Sequence, residues 1–430
     1  MDRYTFGEDI GRVNFNVDQG IMGNLELSTI ADSIVESKID TTWIIGVGGS
    51  IFGAPLIHDG VVYVGAADKN FYAVDDKTGS EIWRFPTGGV IISSPTVDDG
   101  IVYFGSYDGN LYAVSTRGEL VWRFSTGDKV YSDPFVWKNN VYFGSHNGNV
   151  YAVNKKTGDL KWRFATGGPI ASSANIVEDV LYIGSSDKNL YAIDAETGRL
   201  KWRSPANGVV RYKPVFWDEK IIFGSMDGSV RAVDKKGNLV WKFDTNESIG
   251  TYMFLLGDKL FFGSRNLNWY ELDKNGKLAM TFKCKGYPNE VTILDEKLYM
   301  SCCENGLFVI EKETGRELWV FPTNGWIIRL TKHEDKIYFG CWDCNLYSIT
   351  AEGDLRWKFS TSLSYKSALE PEEEVSTKAL EVVWRDESIS EKEDKYKEKT
   401  GDVEFGGYGD FDTGYKMSTS YIKKKKSRYG

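Results

Sequence analysis

The sequence lacks the features that mark membrane-spanning, secreted and general nucleic-acid-binding proteins. No run of about 18 or more apolar residues occurs in the 430-residue chain, so the sequence predicts no membrane-spanning helix. The first residues, MDRYTFGEDIGRVNF, contain no apolar segment of the kind found in signal peptides. A formal net charge of −9 argues against the basic surface that nucleic-acid binding needs. We therefore expect a cytoplasmic protein with no nucleic-acid partner.

The chain also lacks the short motifs that commonly carry catalysis. No Gly-x-Ser-x-Gly elbow, phosphate-binding loop or zinc-protease helix is present. Of the three histidines, His58 and His146 fall near predicted turns, where a solvated side chain is expected. The glycine-rich stretch IGVGGSIFG falls between predicted strands rather than before a helix, which argues against a dinucleotide site. These absences favour a non-catalytic protein over an enzyme.

Glycine and aromatic residues are abundant, and they recur with a fixed period. The chain has 45 glycines, and 14% of its residues are aromatic. Anchor positions recur every 38 to 40 residues, occupied by tryptophan except where Met280 fills one slot. The tryptophans are Trp43, Trp83, Trp122, Trp162, Trp202, Trp241, Trp319 and Trp357. A glycine stands four residues before every anchor after the first, so the chain contains eight complete units.

Each unit predicts four short antiparallel strands. A first hairpin turns at pairs such as Asp68-Lys69 and Asp108-Gly109, which suit a two-residue turn with positive φ. A second turn, of the KTG type, precedes the tryptophan strand, and a shorter strand precedes both hairpins. One four-stranded sheet cannot bury both of its faces, but blades packed around an axis can. The sequence therefore predicts an all-β protein, an eight-bladed β-propeller of four-stranded antiparallel blades.

The predicted propeller spans residues 42–361, after an N-terminal extension at residues 1–41. Trp43 precedes the first complete unit, and we expect it to lie in an outer strand that helps close the ring against the last blade. Residues 362–430 alternate charge and then become rich in Gly, Tyr and Ser, a composition typical of disordered segments. This tail is either a second contact for a partner or a solubilising extension.

The repeat resembles the pyrroloquinoline-quinone (PQQ) type propeller family. Stretches such as AIDAETGRLKWRS carry the Ala, Asp, Thr-Gly and Trp of that family's repeat, here at Ala192, Asp194, Thr197, Gly198 and Trp202. The sixth and seventh units depart most from this pattern. The resemblance implies that the tryptophans dock between neighbouring blades in a structural role. These are Trp83, Trp122, Trp162, Trp202, Trp241, Trp319 and Trp357.

The loops after each tryptophan strand hold the candidate binding residues. In propellers these loops gather on one face around the central channel, where ligands usually bind. On one side of the ring they carry charged and aromatic residues, whereas the equivalents in three other units are small. The candidates are Tyr131, Asp133, Arg211, Tyr212, Lys213, Tyr252, Glu290, Trp326 and Arg329. Such residues suit a protein partner or a small anionic ligand, and ordinary variation among exposed loops is the alternative.

The five cysteines cluster between residues 284 and 344, an odd number that does not suit a disulfide framework. Cys302, Cys303, Cys341 and Cys344 fall at equivalent turns of adjacent units, where a bound metal and a simple core role are both open interpretations. Adjacent cysteines also occur in quinoprotein alcohol dehydrogenases, but the insertions that complete their calcium and quinone site have no counterpart in these short connections. We therefore expect no cofactor, with PQQ and calcium or a cysteine-bound metal as alternatives.

These observations favour a non-catalytic scaffold that binds a protein partner through its ring-face loops, with the tail as a second contact. The alternative is a quinoprotein-like oxidoreductase or a small-ligand sensor that binds PQQ or another ligand in the central channel. The scaffold hypothesis depends on the short loops and the missing catalytic motifs. The oxidoreductase or sensor hypothesis depends on the resemblance in fold.

Overall fold

A computed structural model describes residues 49–303 and 306–361 of the chain. These residues form 32 strands arranged as eight separate four-stranded sheets. Within each sheet the strands follow one another in chain order and pair antiparallel. The predicted eight-bladed β-propeller of four-stranded antiparallel blades is therefore confirmed. Among the described residues, no helix has the length and apolarity needed to cross a membrane.

Blades 1 to 4 take up the first half of the ring, and each uses four consecutive strands. Their bounds are β1 Leu56–His58, β2 Val61–Gly65, β3 Asn70–Asp75 and β4 Glu81–Pro86; β5 Thr96–Asp98, β6 Ile101–Gly105, β7 Asn110–Ser115 and β8 Leu120–Ser125; β9 Phe135–Trp137, β10 Asn140–Gly144, β11 Asn149–Asn154 and β12 Leu160–Ala165; and β13 Asn175–Val177, β14 Val180–Gly184, β15 Asn189–Asp194 and β16 Leu200–Pro205.

Blades 5 to 8 complete the ring in the same way, although the first strands of blades 7 and 8 are longer. Their bounds are β17 Val215–Trp217, β18 Lys220–Gly224, β19 Ser229–Asp234 and β20 Leu239–Asp244; β21 Phe254–Leu256, β22 Lys259–Ser264, β23 Asn268–Leu272 and β24 Leu278–Lys283; β25 Pro288–Leu294, β26 Lys297–Cys302, β27 Leu307–Glu311 and β28 Glu317–Phe321; and β29 Ile327–His333, β30 Lys336–Cys341, β31 Asn345–Thr350 and β32 Leu355–Ser360.

Burial along each blade shows which strand lies where. The first strands contact the first strands of neighbouring blades in several cases, β25 against β29 most extensively, so they line the central channel. The second and third strands are almost fully buried, as in β2 and β3. The fourth strands alternate between exposed and buried residues and form the outer edge. The core therefore lies between blades, formed by the two middle strands of each sheet.

The hairpin between the second and third strands differs from the predicted two-residue turn. In blade 1 four residues, Ala66 to Lys69, connect β2 and β3, and only Lys69 has a positive φ, at 71°. The carboxylate of Asp68 accepts a hydrogen bond from the backbone N–H of Asn70 at 3.0 Å. Because the aspartate side chain satisfies a loop N–H, the wider loop needs one left-handed residue and not two.

The anchor tryptophans lie between neighbouring blades, at contacts that we call seams. The indole N–H of Trp162 on β12 donates to the carbonyl of Ala195 in blade 4 at 3.0 Å. The same ring packs on Gly198, where a Cβ atom would approach Trp162 to 2.7 Å and where φ is +71°. Trp83, Trp122, Trp202 and Trp241 donate to the next blade at 2.8 to 3.2 Å. The glycine therefore provides both the turn conformation and the space for the ring.

The ring closes through the same type of seam. Trp357 on β32 donates to the carbonyl of Asp76 in blade 1 at 2.6 Å and packs on Gly79. The carboxylate of Asp76 also accepts hydrogen bonds from Tyr338 and, at 3.1 Å, from Arg356. Blade 8 takes all four strands from residues 327–360, so its outer strand is β32. Trp43, the N-terminal extension at 1–41 and the tail at 362–430 lie outside the described residues.

The seam between blades 6 and 7 lacks this tryptophan contact. Met280 on β24 occupies the anchor position, and it is only partly buried. The ring of Phe282 instead lies against Gly315 of blade 7, where an added Cβ atom would be 3.4 Å away. Methionine has no N–H group, so its side chain cannot donate the cross-blade hydrogen bond that Trp162 makes.

Candidate functional site

Two sets of loops share one face of the propeller, which we call the ring face. Strands within a blade alternate in direction, so the loop after the fourth strand and the loop between the second and third strands lie on the same side. The candidate residues come from the first set. The structure places eight of them around the entrance of the central channel, where most of them contact one another.

Arg329, at the start of the last blade, lies at the centre of this arrangement. Its guanidinium is 3.1 Å from the Glu290 carboxylate of blade 7 and 3.1 Å from the Asp133 carboxylate of blade 3. It also donates to the hydroxyl of Ser94 in blade 2 at 3.0 Å. The aromatic ring of Tyr252 in blade 6 lies 3.9 Å from the guanidinium carbon. One side chain of blade 8 thus contacts residues of four other blades, a set that we call the channel network.

The channel network is also tied to the backbone. Glu290 accepts a hydrogen bond from the N–H of Leu330 at 3.0 Å, and Asp133 accepts one from the N–H of Ser94 at 2.6 Å. Burial raises the pKa of Glu290, and Arg329 offsets part of that effect. Burial alone would lower the pKa of Arg329, but Tyr252, Glu290 and Asp133 raise it, so the guanidinium stays charged. The charges of Arg329, Glu290 and Asp133 therefore bind one another at the channel entrance.

The remaining candidates of blades 3 and 5 lie beside the network. Tyr212 donates its hydroxyl hydrogen to the carbonyl of Gly250 at 2.7 Å, and its ring lies 5.1 Å from that of Tyr252. Arg211 extends across blade 4, so that its guanidinium carbon lies 5.5 Å from the ring centre of Tyr131. This reach is possible because the equivalent loop of blade 4 carries Ala171, Ser172 and Ser173.

Lys213 differs from the other charged candidates. Its ammonium group lies 5.0 Å from the ring centre of Phe135, and among the described residues it has no hydrogen-bond or ion-pair partner. Burial lowers the pKa of Lys213, and the nearby Arg329 lowers it further while Asp133 raises it. The side chain therefore places a cation beside the channel without a bonded carboxylate.

Trp326 lies apart from the network, in an aromatic patch on the ring face. Its ring centre is 4.5 Å from that of Trp342, and the ring of Phe52 lies 5.4 Å from Trp342. Trp326 and Trp342 are half-buried, whereas Phe52 is buried. Among the described residues no acceptor reaches the buried Nε1 of Trp342. We call Phe52, Trp326 and Trp342 the aromatic patch.

Sequence reasoning missed Trp342 and Ser94. Trp342 lies in the loop between β30 and β31, a class of loop that was compared between units for its turn residues but not for binding residues. Antiparallel pairing puts the loops after the fourth strand and the loops between the second and third strands on one face. A search of both sets of loops for binding residues would therefore have found Trp342. Ser94 is one of the small residues at equivalent positions, and nothing in its type indicates that a charged side chain from blade 8 contacts it.

Two of the four candidate metal-binding cysteines lie at the ends of strands. Cys302 and Cys341 are the last residues of β26 and β30, and both are buried. Burial raises the pKa of the Cys341 and Cys344 thiols, which disfavours the thiolate that binds metals. Among the described residues, which leave out positions 304 and 305, no three Cys, His, Asp or Glu side chains form a group that could hold a metal ion.

The residues around the channel do not fit a calcium-bound quinone. The two carboxylates at the channel entrance, Asp133 and Glu290, are both bound to Arg329. The positive charge of the guanidinium would repel a cation held by the same carboxylates. The described part of the chain thus provides no acidic set for calcium at the channel.

The whole propeller matches one protein family. Residues 40–91, 72–208, 146–280 and 226–388 match the PQQ-repeat family described as "Outer membrane protein assembly factor BamB". The chain belongs to this family. A direct comparison with curated protein sequences gave no match.

Solved structures show the same fold at low sequence identity. The protein is similar to BamB from Moraxella catarrhalis, with a TM-score of 0.54 and 21% identity over 59% of this chain and 82% of that chain. It is also similar to the computationally designed Ika8 protein, with a TM-score of 0.64 and 15% identity over 71% and 97%. The quinohemoprotein alcohol dehydrogenase from Comamonas testosteroni gives a TM-score of 0.61 and 13% identity over 72% and 75%. These similarities establish the BamB-like propeller fold and leave the function open.

Proposed function

We propose that the protein is a non-catalytic scaffold that binds a protein partner through its ring face, with residues 362–430 as a second contact. The observation that carries this proposal is the aromatic patch. Trp326 and Trp342 form a stack on the ring face, and the Nε1 of Trp342 lacks an acceptor among the described residues. Tryptophan is among the residue types most enriched at the energetic centres of protein interfaces, together with tyrosine and arginine.

Five of the nine candidate residues fall into two groups in this proposal. Asp133, Tyr252, Glu290 and Arg329 bind one another in the channel network, so they contribute rigidity rather than contacts. The aromatic patch supplies the apolar contact surface. The description of the family as an assembly factor is consistent with a role in holding proteins together.

Affinity purification of the full chain at physiological salt, followed by mass spectrometry, tests the proposal. We expect one protein to be recovered in near-stoichiometric amount with the parent chain. Trp326→Ala should lose most of it, because the variant removes half of the aromatic stack. Trp137→Ala is the matched control, since Trp137 lies at the far end of inner strand β9, away from the ring face.

Failure to recover a protein with the parent chain contradicts the scaffold proposal. Equal recovery by Trp326→Ala and Trp137→Ala contradicts the role of the aromatic patch. A chain that ends at residue 362 separates the two contacts, because loss of the tail should weaken recovery without abolishing it.

We also propose a cytoplasmic location. The cysteines Cys284, Cys341 and Cys344 support it, because they are not joined in disulfides and free thiols suit a reducing compartment. Cell fractionation checks this part: recovery of the protein in an extracytoplasmic fraction contradicts it.

A further inference from the structure

The channel widens into a cavity of about 700 Å³ on the side of the channel network away from the ring face. The first strands of blades 4 to 8 line it, and these strands start at the ring face and run into the channel. The wall is largely apolar. Its apolar residues include Val177, Phe216, Met253, Leu255, Leu256 and Val291. A volume of this size lies within the range of small-molecule sites, roughly 300–1,000 Å³.

The charges that line this cavity are mostly positive. Lys213, Arg329 and Lys332 are cations and Glu290 is the one anion among the lining residues, which leaves a formal charge of +2 from three positive and one negative group. Glu290 is already bound to Arg329. Lys213 has no hydrogen-bond or ion-pair partner among the described residues; its ammonium group lies 5.0 Å from the ring centre of Phe135, and the Asp133 carboxylate that acts on it from further away is bound to Arg329.

An apolar cavity with one uncompensated cation suits a particular ligand chemistry. A buried charge is costly unless an opposite charge or hydrogen bonds compensate it, so an anionic group beside Lys213 would be favourable. The hydrocarbon part of the same molecule would remove the inner-strand side chains from water. A neutral apolar molecule would leave Lys213 without a partner, and a cationic molecule would add repulsion.

We propose that this cavity binds an amphipathic monoanion, an aliphatic or aromatic carboxylate, with its carboxylate on Lys213 and its apolar part against the inner strands of blades 5 to 7. Arg329 and Glu290 line the same cavity and are bound to each other. The site lies on the other side of the channel network from the aromatic patch. This inference therefore stands independently of the proposed scaffold function.

Isothermal titration of the full chain with dodecanoate, dodecanol and dodecylamine tests the proposal. We expect dodecanoate to bind with a 1:1 stoichiometry, and dodecanol and dodecylamine to bind about tenfold more weakly or worse, because a charge-assisted hydrogen bond is lost. Lys213→Met should weaken dodecanoate binding by a similar factor. Lys161→Met is the matched control, because Lys161 is an exposed residue of outer strand β12 and its change removes the same charge.

Absence of dodecanoate binding to the parent protein overturns the proposal. Equal affinities for dodecanoate and dodecanol, or equal affinities of Lys213→Met and Lys161→Met for dodecanoate, overturn it as well. The comparison of dodecanoate with dodecanol needs only the parent protein, so the proposal remains testable even if Lys213→Met does not fold.

Discussion

The seams between blades and the channel network hold the same ring together in different ways. A seam such as that of Trp162 and Gly198 joins two neighbouring blades, and it recurs with little change around the ring. The channel network occurs once, and through Arg329 it joins blade 8 to blades 2, 3, 6 and 7. The seams bury mainly apolar surface and hydrogen bonds to backbone carbonyls, such as those of Tyr142 and Trp162 to Ala195, whereas the network joins charged groups. Repetition thus builds the ring, and one unrepeated cluster joins distant blades at its channel.

Removing the central cation of the network should have the largest effect on stability. We expect Arg329→Met to lower the free energy of unfolding by about 4 kcal/mol, because Glu290 and Asp133 would remain buried without a counter-charge. Urea unfolding followed by circular dichroism measures the change. The double variant Arg329→Met/Glu290→Met should recover part of the loss. If it unfolds as easily as the single variant, the uncompensated Glu290 carboxylate is not the cause.

Removing a seam tryptophan should have the next largest effect on stability. The same substitution at Met280 compares a regular seam with the seam of blades 6 and 7. We expect Trp162→Ala to cost about 3 kcal/mol, through lost burial and the lost bond to the Ala195 carbonyl. Met280→Ala should cost less, about 2 kcal/mol, because Met280 is partly exposed and makes no such bond. Equal shifts in the urea midpoint would show that the two seams do not differ in strength.

A smaller effect should follow from crowding a seam without removing its tryptophan. We expect Gly198→Ala to cost about 2 kcal/mol, because the new Cβ atom lies 2.7 Å from Trp162 and the backbone has φ +71°. Gly60→Ala is a matched control, since φ is +75° there but no atom lies within 4 Å of the added Cβ. Its cost should be only that of the backbone conformation, about 1 kcal/mol. Equal losses of unfolding free energy in the two variants would mean that the contact of the new Cβ atom with the Trp162 ring adds no cost.

A substitution at Asp76 in the closing seam should have the smallest effect on stability at neutral pH. The size of this effect should depend on pH. Burial raises the pKa of Asp76, but hydrogen bonds from Tyr338 and Arg356 outweigh it, so its pKa is lowered in the folded protein. The stabilisation is therefore present above the unfolded-state pKa of about 3.9 and is lost as the pH falls through the folded-state pKa. We expect Asp76→Asn to cost about 1 kcal/mol at pH 7.

Thermal unfolding of the parent and Asp76→Asn between pH 7 and pH 3 measures this dependence. The difference between the two proteins should shrink as the pH falls below about 4, because protonation removes the same charge from the parent. A constant difference across this range would assign the loss to packing rather than to the charge of Asp76.

The fold was predictable because its evidence repeats along the chain. The spacing of Trp162, Trp202 and their glycines indicates eight equal units, and the turn residues indicate four strands in each. The candidate site was predictable only in part. Position within the unit indicated that Asp133, Glu290 and Arg329 lie on one face, but not that they bind one another. Trp342 was missed because only one of the two sets of loops on that face was searched for binding residues.

By itself, the sequence determined the number of blades, the strands within each blade and the tryptophan–glycine seams. It could do so because each of these depends on residues at most one repeat apart, whose relative positions the period already sets. Only the tertiary structure decided that Arg329 binds Asp133 and Glu290, that Trp326 packs against Trp342 and that Lys213 lines a cavity. The physical reason is distance along the chain: Arg329 and Asp133 are 196 residues apart in sequence, and only closure of the ring brings their charges into contact.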